Sequence, residues 1–190
     1  MSMEKAGALH PRVRSLLVIG GARSGKSAYA QQLAEAHGSE RLYLATATPG
    51  DEEMAVRIAR HQADRGQGWT TLEEPLEVAR ALAVEARPGR VIVVDCLTLW
   101  LSNLMLEARD PAPAVAGLAG AIAALAGPAI LVSNEVGMGL VPNNKLGREF
   151  RDWQGRANRE IARVCDTVVL VAAGLPLQLK PAATPTVQLS

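Results

Sequence analysis

A chain of 190 residues with a formal net charge of +1 and 48% hydrophobic residues suits one domain with its own core. The near-neutral balance argues against a globally basic nucleic-acid binder, and three Trp, two Tyr and one Phe leave little surface for stacking bases. Two cysteines and three histidines, scattered without metal-ligand spacing, argue against a zinc centre and read as reduced thiols of a cytoplasmic protein.

Residues 1–14, MSMEKAGALHPRVR, contain His10 but no apolar run of the signal-peptide kind, and read as a loose leader. Residues 15–21 are apolar and β-prone, the first predicted strand. They run into GGARSGKS, residues 20–27: Gly20, Gly21, Ala22, Arg23, Ser24, Gly25, Lys26 and Ser27. This stretch fits G-x-x-x-x-G-K-[ST] at every fixed position, and a helix is predicted directly after it, over residues 25–37. Strand, glycine loop and helix in that order are what a phosphate-binding loop requires. The glycines let the backbone wrap a phosphate, and successive N–H groups with the helix N-terminus supply positive potential. Lys26 is placed to reach the β- and γ-phosphates and Ser27 to ligate Mg²⁺. His37 closes the helix just before Gly38, a favourable place for a cation.

A second strand is predicted over residues 41–47 and a helix over residues 51–65. On that helix Arg57, His61 and Arg65 are spaced i, i+4, i+8 and share one face. Two guanidiniums beside an imidazole disfavour its protonation, so the ring stays neutral and nucleophilic, and the same arginines could hold a phosphate against it. The alternative is a solvated helix face carrying an incidental histidine. Met54 and Ile58 lie on the same side, so the helix is expected to pack by them and to turn His61 toward the phosphate-loop crevice.

Residues 69–74 form a weaker strand candidate, and a helix is predicted over residues 75–87. The next strand, residues 90–96, carries Asp95 at the end of VIVVD. An acid there is the usual second magnesium-side group, the reading favoured by the upstream phosphate loop, or the N-cap of the helix predicted over residues 97–108, and the two roles can coexist. Residues 112–132 carry no charge, but they are rich in Ala and Gly and are cut by Gly127 and Pro128. They read as a helix over residues 112–126 and a strand over residues 129–135 rather than a membrane span. Glu135 ends that strand within SNEVGMG and could bind magnesium, act as a base, or fix the glycine-bearing turn. NKLG, residues 144–147, is similar to a guanine-reading motif but lacks its final aspartate and is discounted. A helix over residues 144–164 and a strand over residues 167–173 follow, and residues 181–190 form a loosely held tail.

Strands alternating with helices imply a single-domain α/β fold over residues 15–180, a doubly wound, mainly parallel sheet of the P-loop NTPase (RecA-like) kind. Several strands are continuously apolar, as expected when both faces are covered. Ligands then bind beyond the carboxyl ends of the strands.

The stretches VIGGARSGKSAYA, YLATAT, DEEMAVRIARHQADR, VIVVDCLTLWLSNL, LVSNEVGMGLVPNN and REFRDWQGRANREIA together make the chain resemble the bifunctional adenosylcobinamide kinases / adenosylcobinamide-phosphate guanylyltransferases. The resemblance implies two reactions. A nucleoside triphosphate, ATP or GTP, phosphorylates adenosylcobinamide. GTP then passes GMP to that phosphate through a guanylyl-histidine, releasing pyrophosphate and giving adenosylcobinamide-GDP. The family's nucleophilic histidine falls on His61. Its nucleotide contacts fall on residues 20–27, on Ala45, Thr46 and Ala47, on Gln62, Ala63, Asp64 and Arg65, and on Glu73 and Asp95. It also implies Mg²⁺ brought with the nucleotide rather than a tightly bound metal, a homotrimer, and no nucleic-acid or membrane partner. Phe150 and Trp153 of the last helix could supply a subunit contact or ordinary core packing. Two other readings are a different small-molecule kinase on the same scaffold and a RecA-like nucleotide-dependent module.

Overall fold

Seven short runs, the central ones rich in Val, Ile and Leu, become the strands of one sheet: β1 (Ser15–Gly20), β2 (Glu40–Ala45), β3 (Trp69–Glu73), β4 (Arg90–Asp95), β5 (Ala129–Asn134), β6 (Thr167–Ala172) and β7 (Leu175–Lys180). The computed structural model describes residues 13–37, 40–47 and 65–181. The leader up to residue 12, the tail from residue 182 and the predicted second helix lie outside the described residues, Arg65 excepted. So do His10, Met54, Arg57, Ile58, His61, Gln62, Ala63 and Asp64.

The strand order is β3-β2-β4-β5-β1-β6-β7, parallel throughout except for β7, which runs antiparallel to β6. Five helices are described: α1 (Lys26–His37), α2 (Val78–Glu85), α3 (Leu97–Leu106), α4 (Pro111–Ala123) and α5 (Lys145–Val164). Because side chains alternate across a strand, successive residues of each central strand feed two different cores. Leu17, Leu42, Leu44, Ile92, Val94 and Leu131 join Trp100, Leu118 and Ile161 beneath α2 to α5. Leu16, Val18, Val91, Val93, Ile130 and Val132 pack with Ala30 and Ala34 of α1 on the other face. The mainly parallel, doubly covered sheet is therefore the one expected from continuously apolar strands.

Helix starts follow local chemistry. Asp110 caps α4 by accepting from the Ala112 N–H at 3.0 Å, with Pro111 in the first turn. Asn144 caps α5 by accepting from the Gly147 N–H at 2.7 Å, which gives NKLG a structural role. The cap of α3 is Cys96, whose sulfur accepts from the Leu99 N–H at 3.5 Å; Asp95 does not fill that place. Both cysteines are free and buried, and burial pushes the Cys96 thiol up to about 11 and the Cys165 thiol up to about 12. The uncharged stretch resolves into α4 and β5, and among the described residues no helix is long and apolar enough to cross a membrane.

The strand β7 is an addition to the predicted elements. Ala173 and Gly174, with φ of 52° and 79°, form the two-residue turn that joins β6 to β7 and matches strand twist. Pro176 fits because β7 is the sheet's outer strand. Lys180, at the end of β7, donates to the carbonyls of Ala162 and Arg163 at 3.1 and 2.9 Å, so the hairpin also closes the C-terminus of α5.

Candidate nucleotide and phosphoryl-transfer site

The loop between β1 and α1 is built for close backbone approach. A Cβ on Gly20 would collide with the Val171 carbonyl and lie 2.6 Å from the Ser24 hydroxyl. Gly25 has a φ of +96°, and a Cβ there would stand 3.2 Å from the Gly174 Cα. Arg23 also takes a positive φ, 56°, and is exposed with Gly21 and Ala22. The Gly174 N–H donates to the Ser24 carbonyl at 2.9 Å, so the β6–β7 turn braces the loop from behind. Lys26 is buried, and its ammonium donates to the Gly21 carbonyl at 3.1 Å. Ser27, half-buried, is the second residue of α1.

Register brings the remaining candidates into one row. Ala45 pairs with Glu73 on one side and with Asp95 on the other, so the ends of β3, β2 and β4 present Glu73, Ala45 and Asp95 side by side. Asp95 pairs with Val132 of β5, and Val132 with Val18 of β1, so the row meets β1 two residues before Gly20, where the phosphate loop begins. Glu73 is exposed at the rim. Thr46 is fully buried: its hydroxyl donates to the Cys96 carbonyl at 2.7 Å and accepts from the Cys96 N–H at 2.8 Å. Its side chain ties β2 to β4. Asn103 of α3 donates to the Thr46 carbonyl at 2.8 Å and locks the same corner.

Tyr43, which sequence reading did not single out, joins two of the candidate site residues. Its hydroxyl donates to Asp95 Oδ2 at 3.0 Å, and the Arg65 guanidinium lies 3.7 Å over its ring. Trp69 meets the ring edge-on at 6.2 Å, and Arg65 also donates to the Thr71 hydroxyl at 3.3 Å. Burial first, and the neighbouring Asp95 carboxylate second, raise the phenol's pKa far above the usual tyrosine value, so Tyr43 stays a donor. One ring thus holds the acid that ends β4 and the arginine four residues past His61. An aromatic two residues before a strand end carries no signal of this by itself; only the β2–β4 register creates it.

Glu135 is placed differently. Its Oε1 accepts from the N–H groups of Gly137 and Met138, the latter at 3.2 Å. Of its three readings, turn-fixing is the one these bonds make. The Glu135 N–H donates to the Gly20 carbonyl at 2.9 Å, so that turn is fastened to the phosphate loop. Behind it sits a buried polar cluster that sequence reading also missed. Ser133 donates to Asn158 Oδ1 at 2.6 Å, Gln154 donates to both, and Asn158 donates to the Asn134 carbonyl at 3.0 Å. It clamps α5 to the end of β5.

The donor set suits a hard cation carried by phosphates. If Asp95 and the Ser27 hydroxyl both ligated a cation, one carboxylate and one hydroxyl would leave most of an octahedral shell to phosphate oxygens and water. Among the described residues no cluster of three His, Cys, Asp or Glu could hold a metal by itself.

A loop of this geometry at the carboxyl edge of a parallel sheet could serve many nucleotide enzymes. The model of the cobinamide kinase / cobinamide phosphate guanyltransferase family matches residues 16–179. The chain belongs to that family. The bifunctional adenosylcobalamin biosynthesis protein CobP of Pseudomonas aeruginosa is 48% identical over 167 residues, covering 86% of this chain and 96% of that protein. CobU of Escherichia coli K12, of the same description, is 34% identical over 180 residues, covering 87% of this chain and 99% of its own. A solved ATPase from the type III secretion system of pathogenic bacteria matches with a TM-score of 0.50 and 10% identity over 83% of this chain and 50% of its own. That likeness speaks for the fold alone. Membership of the cobinamide kinase family agrees with the P-loop α/β architecture.

Proposed function

We propose that this chain is an adenosylcobinamide kinase and adenosylcobinamide-phosphate guanylyltransferase that assembles the nucleotide loop of cobalamin, with His61 as the guanylyl carrier. The observation that carries it is the row Glu73, Ala45, Asp95 at the same sheet edge as the phosphate loop, with Arg65 stacked on the tyrosine that holds Asp95. His61 lies four positions before Arg65, a stretch of chain that reaches at most about 14 Å.

In the kinase step the loop N–H groups and Lys26 hold the β- and γ-phosphates of ATP or GTP; the acceptor hydroxyl attacks the γ-phosphorus, the β–γ bridging P–O bond breaks, the nucleoside diphosphate leaves with the electron pair, and the hydroxyl proton passes to water. Ser27 and Asp95 would hold Mg²⁺, which neutralises phosphate charge when bound. Asp95 is kept in place by Tyr43. In the second step a neutral His61 ring nitrogen attacks the α-phosphorus of GTP. An N–P bond forms, the α–β bridging P–O bond breaks, and pyrophosphate leaves with the electron pair. The corrinoid phosphate oxygen then attacks the same phosphorus, which breaks the N–P bond and frees His61. Arg65 and the segment Gln62, Ala63, Asp64 would hold the GTP phosphates, and Glu73 a ribose hydroxyl or guanine N–H. We further propose a domain spanning residues 15–180, a cytoplasmic location and a homotrimer. Phe150 and Trp153, both half-buried on α5, are candidates for its contacts; light scattering reads the oligomer directly.

The deciding test uses labelled GTP with Mg²⁺. The expected result is one acid-labile, base-stable GMP adduct per chain, mapped by mass spectrometry to His61 and absent from His61→Ala. Undiminished guanylylation of the corrinoid by that variant overturns the mechanism.

A further inference from the structure

The outer face of α5 carries a groove that the reaction scheme above leaves unassigned. Arg151, Arg156, Arg159, Gly155 and Asp152 line it together with Gly137, and it encloses about 380 Å³. None of the three arginines makes an ion pair among the described residues, while the other acids of α5 are engaged: Glu149 with Lys145 and Glu160 with Arg163. Arg151 donates to the Gly137 carbonyl at 2.9 Å, and the Arg156 guanidinium lies 5.0 Å over the Trp153 ring, so two of the three are already oriented. Three guanidiniums against one carboxylate leave the groove short of negative charge.

Gly155 supplies an independent observation. It sits near the middle of a 20-residue helix, where glycine is unfavourable relative to alanine. Nothing lies within 4 Å of where its Cβ would be, so packing within the chain does not require it. Its neighbours Gln154 and Asn158 are locked inward to Ser133, so the residues on the outer face cannot slide. The absent side chain keeps the floor of the groove open between Arg151 and Arg159, one turn to either side. Just past Gly137 the chain exposes Met138, Leu140 and Val141, at 83%, 97% and 67%.

We propose that this groove is the acceptor's anion site: it takes a phosphate monoester carried on a bulky ring system. The guanidiniums pair with the phosphate, the open floor at Gly155 admits it, and the apolar residues after Gly137 meet the ring. The turn that lines the groove is the one fastened to the phosphate loop through the Glu135 N–H and Gly20, so the acceptor lies on the same edge as the nucleotide. The identity of the ring system rests on the proposed function; the anion site rests on the groove.

The test is equilibrium binding to the full chain, with adenosylcobinamide phosphate and adenosylcobinamide as paired probes followed by corrin absorbance. Wild type is expected to prefer the phosphorylated form by about 10- to 100-fold, a preference that shrinks with added salt. Arg156→Ala and Arg159→Ala should each erase most of that preference, with Arg156→Lys restoring part of it. Gly155→Ala gives the sharpest signature, because its two effects have opposite signs. It should raise Tm by about 2–4 °C and still weaken binding of the phosphorylated probe about tenfold or more. Equal binding of the two probes by wild type, or Gly155→Ala and Arg156→Ala variants that keep the full preference, overturns the proposal. A change of oligomeric state in these variants without a change of preference also overturns it, making the groove a subunit contact. Failure of wild type to form the GMP adduct counts against the proposed function alone, since the paired titration still decides the groove.

Discussion

The carboxyl ends of β4 and β5 lie side by side, each finishes in or just before an acid, and the two acids are used in opposite ways. Asp95 is approached from the neighbouring strand: Tyr43 takes Oδ2, and the other oxygen receives no hydrogen bond from the described residues. Glu135 is consumed by its own turn, with Oε1 shared between two backbone N–H groups. Sequence position ranks the two equally, since both follow an apolar strand at the ligand-binding edge. What separates them is where their hydrogen bonds go. An acid that closes its own turn is structural, and one held by a remote donor is aimed.

The largest expected effect tests the aimed acid. Asp95→Asn should lower turnover of both steps by about 100-fold or more while leaving the thermal midpoint near wild type. Tyr43→Phe keeps the ring under Arg65 but removes the bond to Asp95. Its expected cost is about tenfold in the Mg²⁺ concentration needed for half-maximal activity, the usual loss for a partner that orients a ligand. Tyr43→Leu removes the platform as well, and should add a defect in GMP adduct formation that Tyr43→Phe does not share.

The contrast extends to a third acid at the opposite edge. Asp166, just before β6, accepts the N–H groups of Arg14 and Ser15 at 2.8 and 3.0 Å, and Ser15 Oγ accepts the Asp166 N–H. Desolvation works to raise its pKa, but the N–H donors of Arg14 and Ser15 outweigh it, and the carboxyl sits below the ordinary 3.8. A depressed folded value means that the stabilisation is complete above the unfolded value and disappears as pH falls through the folded one. Urea midpoints of wild type should therefore drop below about pH 4 more steeply than those of Asp166→Asn. At neutral pH that variant should melt about 2–4 °C lower with its activity retained. The smallest effect is reserved for Glu135→Gln, which preserves an acceptor for the turn. Turnover should change by no more than about threefold. A loss as large as that of Asp95→Asn would break the comparison and return Glu135 to the chemistry.

The strand–loop–helix at residues 15–37 could be read directly because every constraint in it is local. A strand of apolar residues, glycines where backbone must approach, and a lysine and serine at fixed offsets are properties of consecutive residues. The caps at Asp110 and Asn144 rest on equally local bonds but were not singled out from the sequence. Strand β7 was less legible: Leu175, Leu177 and Leu179 alternate as a strand should, but Pro176 argues against an interior one, and the outer position that tolerates it appears only in the assembled sheet. Tyr43 and the Ser133–Gln154–Asn158 clamp were not legible at all, since each joins residues at least 20 apart in the chain.

Sequence alone determined the alternation of strand and helix, the phosphate loop, and the residue types able to do the chemistry, because those depend on spacing along one backbone. Tertiary structure alone decided which acid is held by a distant phenol, which is spent on a turn, and which arginines share a groove. Those outcomes follow from strand order and register, which set distances between residues that the chain itself leaves far apart.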